Sequence, residues 1–174
     1  MKKRFFLAAI VLLVALFAGC SAKLSGPPQI VITVGKVNVD SVVGLIRWNA
    51  SVYNREDTYR AIMKGKTRTE LPYIQLNEEI QIDFKGAAPD TVELRDYILN
   101  ADGSIKYTEK EINIIPIKFK DKQCSFTLAP NPAAFLSSDT SDYEPGATIR
   151  LFRLTCKWGE NECEYAFIIR SDAS

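Results

Sequence analysis

The sequence predicts a mainly β fold, an antiparallel two-sheet sandwich that follows a short apolar N-terminal helix. Three observations carry this. Glu79-Ile80-Gln81-Ile82-Asp83-Phe84 alternates polar and apolar residues in strict period two, the pattern of a strand with one face buried and one in water. Runs of β-branched residues recur between turn signals roughly 8 to 12 residues apart, which gives about seven to nine strands and favours a sandwich. Near the C-terminus, residues 148–158 and 161–170 read as a long hairpin about Gly159-Glu160.

In chain order, residues 29–34 and 36–40 are β-branched segments split by Gly35. Residues 91–99 and 104–107 flank Asn100-Ala101-Asp102-Gly103, whose Asp-Gly pair tolerates positive φ and favours a type I′ or related hairpin turn. Residues 111–120 read as a further strand, in which Pro116 removes one donor and marks an edge or a bulge. Residues 123–128 follow, with Cys124, Phe126 and Leu128 on one face. Asn131 can cap a short helix, Pro132 suits its first turn, and residues 133–136 complete it. Weaker helical spacing occurs around residues 59–63. In the closing hairpin, Gly159 at the first turn position suits type II′. That register sets Phe152 opposite Phe167, Leu154 opposite Tyr165 and Lys157 opposite Glu162. A turn at Glu160-Asn161 keeps the same faces.

The N-terminus has a different character. Lys2, Lys3 and Arg4 precede fourteen unbroken apolar residues, 5–18. A bilayer-spanning helix needs roughly 20, so this stretch reads as a secretory signal of charged head, apolar stretch and small-residue end. Leu16-Phe17-Ala18-Gly19-Cys20 resembles the lipobox of bacterial lipoproteins, with Phe17 where that family has Leu. The resemblance implies cleavage after residue 19 and a diacylglyceryl group on Cys20, the one covalent attachment expected and no other cofactor. Two acyl chains hold a protein durably at a membrane, so no basic patch is needed. The chain carries 22 basic and 21 acidic side chains. Loss of the leader removes three basic ones and leaves a slightly acidic mature chain, without the field that nucleic acid binding requires. Residues 20–28 read as the lipidated cysteine and a flexible tether, and 29–174 as a single extracytoplasmic domain.

The short helix before the closing hairpin, with Asp142-Tyr143-Glu144-Pro145-Gly146 leading into a strand, resembles a corner of immunoglobulin-like domains. Leu154 stands two residues before the strand's cysteine, where that family has tyrosine. This resemblance spans residues 71–170 and implies an immunoglobulin-like sandwich. The mature chain as a whole resembles uncharacterised envelope lipoproteins of Gram-positive bacteria, a group that implies no activity.

Three cysteines remain beyond Cys20. The hairpin register places Cys156 opposite Cys163, within reach of a disulfide; a bridge from Cys124 to either is the alternative. The chain has no histidine and no Cys-x-x-Cys pair, so zinc-ligand spacing is missing and no metal is expected. Without imidazole, Ser-His-Asp and Cys-His hydrolases and HExxH peptidases are excluded. A Ser-x-x-Lys motif is absent as well. Gly65-Lys66-Thr67 lacks the glycine that a phosphate loop needs at Arg60. Asn100-x-Asp102-Gly103 and the Asp139, Asp142, Glu144 group read as a turn and a solvated loop rather than calcium sites. Glu160, Glu162 and Glu164 alternate along a strand, as on a solvated face.

One mixture could bind. Arg60, Lys64, Lys66 and Arg68 form a basic stretch near Trp48, Tyr53, Tyr59 and Tyr73, a combination able to hold an anionic wall polymer or a sugar face. The expected role is therefore a non-enzymatic, membrane-anchored binding module for an envelope protein or cell-wall polymer. Two alternatives stand beside it: an accessory or sensor subunit of a membrane complex, and a carboxylate-dependent cell-wall enzyme.

Overall fold

A computed structural model describes residues 25–174; the expected signal sequence and Cys20 lie outside the described residues. Two antiparallel sheets face each other. The first contains β1 (Ile30–Val34), β2 (Val37–Val39), β5 (Glu79–Phe84), β8 (Lys118–Lys120) and β9 (Gln123–Thr127), in the order β2-β1-β5-β9-β8. The second contains β3 (Ser41–Trp48), β4 (Ser51–Tyr53), β6 (Thr91–Leu99), β7 (Asn113–Ile115), β10 (Thr148–Trp158) and β11 (Asn161–Ser171), in the order β4-β3-β11-β10-β6-β7. The mainly β, two-sheet architecture read from the sequence is present.

The closing hairpin has the expected register. Phe152 faces Phe167, Leu154 faces Tyr165 and Lys157 faces Glu162. Gly159 takes φ 57, as the first position of a type II′ turn requires. The two phenylalanine rings stack at 4.9 Å between centroids. At the other end of the domain, Val34 pairs with Val37 across a tight turn in which Gly35 has φ 55.

Other elements differ from expectation. Residues 111–120 are not one strand: β7 pairs with β6 in the second sheet, and β8 pairs with β9 in the first. Pro116 lies at the crossing, where its missing N–H costs no ladder bond. After Leu99 the chain forms a three-residue loop with Gly103 at φ 82, and residues 104–107 keep a single bridge, Leu99 to Ile105. The segment Pro132–Leu136 is a 3-10 helix, capped as expected by Asn131, which accepts from the Ala133 amide at 2.8 Å. β3 and β4 had no sequence signal; they join through Asn49 and Ala50, both at positive φ. Pro28, at the end of the expected tether, is docked: its carbonyl accepts the Tyr165 hydroxyl.

The main core lies between the sheets and gathers Ile32, Ile80, Ile82, Phe84, Phe126, Phe152, Leu154, Tyr165 and Phe167. A second apolar layer covers the outer face of the six-stranded sheet. There Tyr59, Ile62 and Leu71 pack on Tyr97, Leu99, Ile149, Leu151, Ala166 and Ile168. The short helical turns Glu56–Tyr59 and Arg60–Met63 bring these side chains down onto the strands.

Candidate functional site

The structure does not assemble the basic and aromatic stretch into one surface. Trp48 is 5% exposed and packs on Trp158 at 5.4 Å, and Tyr59 is 1% exposed beneath the helical turns. Both rings are core, as expected where burying a large aromatic surface outweighs leaving it in water. Lys64 stays exposed, and three of the cations meet acids: Arg60 lies 4.0 Å from Asp57, Lys66 3.9 Å from Asp40 and Arg68 3.8 Å from Glu144. Tyr73 is partly exposed but donates to Asp172 at 2.9 Å, and Arg170 stacks on its ring.

The thiol pair needs a correction of a different kind. Cys156 and Cys163 are register partners, yet they and Cys124 are free, buried thiols. Counting back from the two-residue turn, this pair falls at a hydrogen-bonded position of the ladder. Side chains diverge more there than at the intervening positions, leaving Cβ atoms near 5.5 Å rather than the roughly 3.8 Å of a disulfide. Burial pushes the Cys124 and Cys163 thiols up to about 12 and raises Cys156 as well. Burial thus disfavours the thiolate at all three, which works against a nucleophilic role.

The carboxylates are dispersed. Glu162 lies between Arg47 at 3.7 Å and Lys157 at 3.6 Å. Glu164 is not on a solvated face: it is mostly buried beside Gly44, with Arg153 at 3.8 Å. Asp102 caps the Ser104 amide at 2.8 Å, and Asp139 caps Ser141 at 2.9 Å. Among the described residues, no group of three acidic, cysteine or histidine side chains could hold a metal ion. Ser137, Lys106 and Asp142 do meet, with Asp142 bonded to both others. Burial lowers the Lys106 ammonium, but the Asp142 hydrogen bond and charge outweigh it and leave Lys106 raised. A lysine held protonated is no general base for the serine.

One region combines exposed apolar surface with a rigid frame. Two cavities, of about 300 and 380 Å3, share Asn113 and Pro132 and so form one trough beside β7. Leu136 lines one and is 59% exposed; Ile114 lines the other and is 61% exposed. β7 is the last strand of its sheet, so its far side has no strand partner among the described residues. Lys110, Lys118 and Glu111 supply the charges of the lining.

A buried ion pair pins both walls. Asp96 and Arg150 face inward from adjacent strands and meet at 2.5 and 3.2 Å. Asn131 donates to Asp96 at 2.8 Å, and Asn113 does so at 3.5 Å. Arg150 donates to the Ala129 carbonyl at 2.8 Å and lies over the Phe152 ring at 5.2 Å. One wall is thus tied through Asn113 and the other through Ala129 and Asn131. Burial raises the Asp96 carboxyl, against the Arg150 charge and hydrogen bonds that favour its ionised form. The readable signal was parity: Asp96 and Arg150 occupy the core positions of strands that otherwise carry Leu94, Ile98, Phe152 and Leu154 there.

The chain matches no family model, no curated protein and no solved structure.

Proposed function

We propose that this chain is an exported lipoprotein, anchored by diacylglycerol on Cys20 to the outer face of a cell membrane, whose immunoglobulin-like domain is a non-enzymatic binding module. The lipobox-like Leu16-Phe17-Ala18-Gly19-Cys20 supports the anchor. The division of strands, β1-β5-β9-β8 in one sheet and β11-β10-β6-β7 in the other, supports the finer fold reading.

The observation that carries the binding role is the trough. An exposed apolar strip beside an open, short edge strand is what a partner segment covers. The first sheet supports it by contrast, since its outer face carries Glu79, Gln81, Asp83, Gln123 and Ser125. The occupant that fits is an extended segment of an envelope protein, carrying apolar residues for Ile114 and Leu136 and acids for Lys110 and Lys118. The trough is lined by one carboxylate, Glu111, where a two-carboxylate enzyme needs a pair, so its lining favours binding over such catalysis.

In-cell crosslinking of the tagged chain, followed by mass spectrometry beside a Cys20→Ala control, tests the reading. A protein captured with the lipidated chain and lost in the control supports an anchored module. Recovery of wall fragments alone, or the same captures in the control, overturns it.

A further inference from the structure

The expected tether meets the domain at one end of the sandwich. The Pro28 carbonyl accepts the Tyr165 hydroxyl, and the Gln29 carbonyl accepts the Lys85 amide at 2.8 Å. On the other side of β5, the Phe84 amide donates to the Lys122 carbonyl at 2.9 Å. Pro28 and the β8–β9 turn therefore share this end, two strand spacings or about 10 Å apart. We infer that the corner around this turn is a docking surface for an anionic lipid bilayer. Lys85, Lys118, Lys120 and Lys122 would meet the headgroups, with the Phe119 ring beside them. The inference rests on the anchor proposed for Cys20 and adds which side of the domain the membrane meets.

Reach sets the first limit. Pro28 lies eight residues after Cys20, so a fully drawn tether spans at most about 28 Å. β10 and β11 have eleven residues each and run roughly 35 Å along the domain. A domain standing on its opposite end would hold Pro28 beyond that reach.

Charge then chooses within the near end. The four lysines are exposed and form no ion pair among the described residues. Two aspartates stand near them, Asp121 in the turn and Asp83, which accepts from Gln123 at 3.0 Å; they offset two of the four and leave the corner at +2. Across the same end, at the β3–β4 turn, Arg47 and Lys157 share Glu162, and Glu160 with Asp90 brings that side to −1. Anionic headgroups therefore favour the β8–β9 corner over the other side. Phe119 is 41% exposed, with Phe84 against it at 6.4 Å. Its open side adds apolar area that the boundary between headgroups and acyl chains can cover. An anchor that keeps the domain at the surface makes a weak contact sufficient, so the corner sets orientation rather than attachment.

The test is NMR of the isotope-labelled full chain, purified from membranes and placed in nanodiscs with a spin-labelled headgroup. The discs are phosphatidylcholine, with or without phosphatidylglycerol. The tether alone brings both sides of the near end close to lipid, so the readout is the difference between them. With phosphatidylglycerol, the label should broaden the amides of residues 119–122 at least about twofold more than those of 49–51, and raised salt should remove the difference. Pure phosphatidylcholine should remove it as well. Lys120→Glu with Lys122→Glu should abolish it while the rest of the spectrum is retained; Lys118 is left in place because it also lines the trough. Equal broadening of the two sides in anionic discs overturns the inference, as does a difference that survives pure phosphatidylcholine or the charge reversal. Mass spectrometry of the N-terminal peptide keeps the anchor separate. A chain without diacylglycerol that stays out of the discs sinks the anchor and this inference together, whereas a lipid-bearing chain without the difference sinks the docking surface alone.

Discussion

The two sheets share one core but differ on their other sides. The first turns a polar face to water, where Gln123 bonds to Asp83 at 3.0 Å and Ser125 to Glu79 at 2.9 Å. The second is covered by a further apolar layer, so β10 and β11 are buried on both faces along the half nearest Thr148 and Ser171. A sheet backed by water needs no further chain. A sheet backed by a second layer must recruit side chains such as Tyr59, Ile62 and Leu71 from its connections. Each side of this sheet also buries one charged pair, Asp96 with Arg150 toward the core and Arg153 with Glu164 on the outer side.

Breaking the buried pair should produce the largest effect. Asp96→Ala leaves Arg150 charged and unpaired, at an expected cost of about 3–5 kcal/mol by chemical denaturation. The double variant Asp96→Leu with Arg150→Met should recover most of that loss, because the pair's value lies in mutual compensation. If the double variant is no more stable than the single, the ion pair is not what sets the cost.

Truncations separate the layers. Ile82→Ala in the shared core should cost about 3 kcal/mol, and Leu71→Ala in the outer layer about 2–3 kcal/mol. Gln81→Ala on the polar face should stay within about 0.5 kcal/mol. Only the Leu71 variant should also bind a hydrophobic dye in its native state, since it uncovers the outer layer. Equal costs for Leu71→Ala and Gln81→Ala would show that the second layer is not cohesive.

The thiols sharpen the same contrast kinetically. Cys124, Cys156 and Cys163 are fully buried and held protonated, so a thiol reagent at neutral pH should label none in the native domain and all three after unfolding. Rapid native labelling of Cys156 or Cys163 would mean that the closing hairpin opens.

The smallest effect is electrostatic. Lys106 and Ser137 hold the Asp142 carboxyl below its ordinary value. A depressed acid adds stability above its unfolded pKa and loses it as pH falls through the folded one. Asp142→Asn should therefore cost a few tenths of a kcal/mol, about the worth of a partly exposed pair, at neutral pH and nothing once pH falls below the carboxylate range.

How much the sequence revealed follows from the same contrast. β5 was legible because its outer face meets water, which stamps period two on Glu79–Phe84. The closing hairpin was legible through Gly159 and through matched residues at fixed offsets. β3 was not: Gly44 replaces an outward side chain because a Cβ there would stand 2.8 Å from the Glu164 carboxylate. The β3–β4 turn uses Asn49-Ala50, a pair without glycine and so without a turn signal. The trough depends on Asp96, Arg150, Asn113 and Asn131, which converge through pairing rather than spacing. Their one local trace was charge at core parity. The stretch at residues 60–68 misled because local composition does not report that Tyr59 folds inward.

The measurement that bears most directly on the binding role places a photo-crosslinking amino acid at Ile114, and separately at Gln81, in the full chain in living cells. The account predicts one discrete adduct with an envelope protein from Ile114 and none from Gln81. Adducts of equal yield and identity from both positions, or from Gln81 alone, would contradict it.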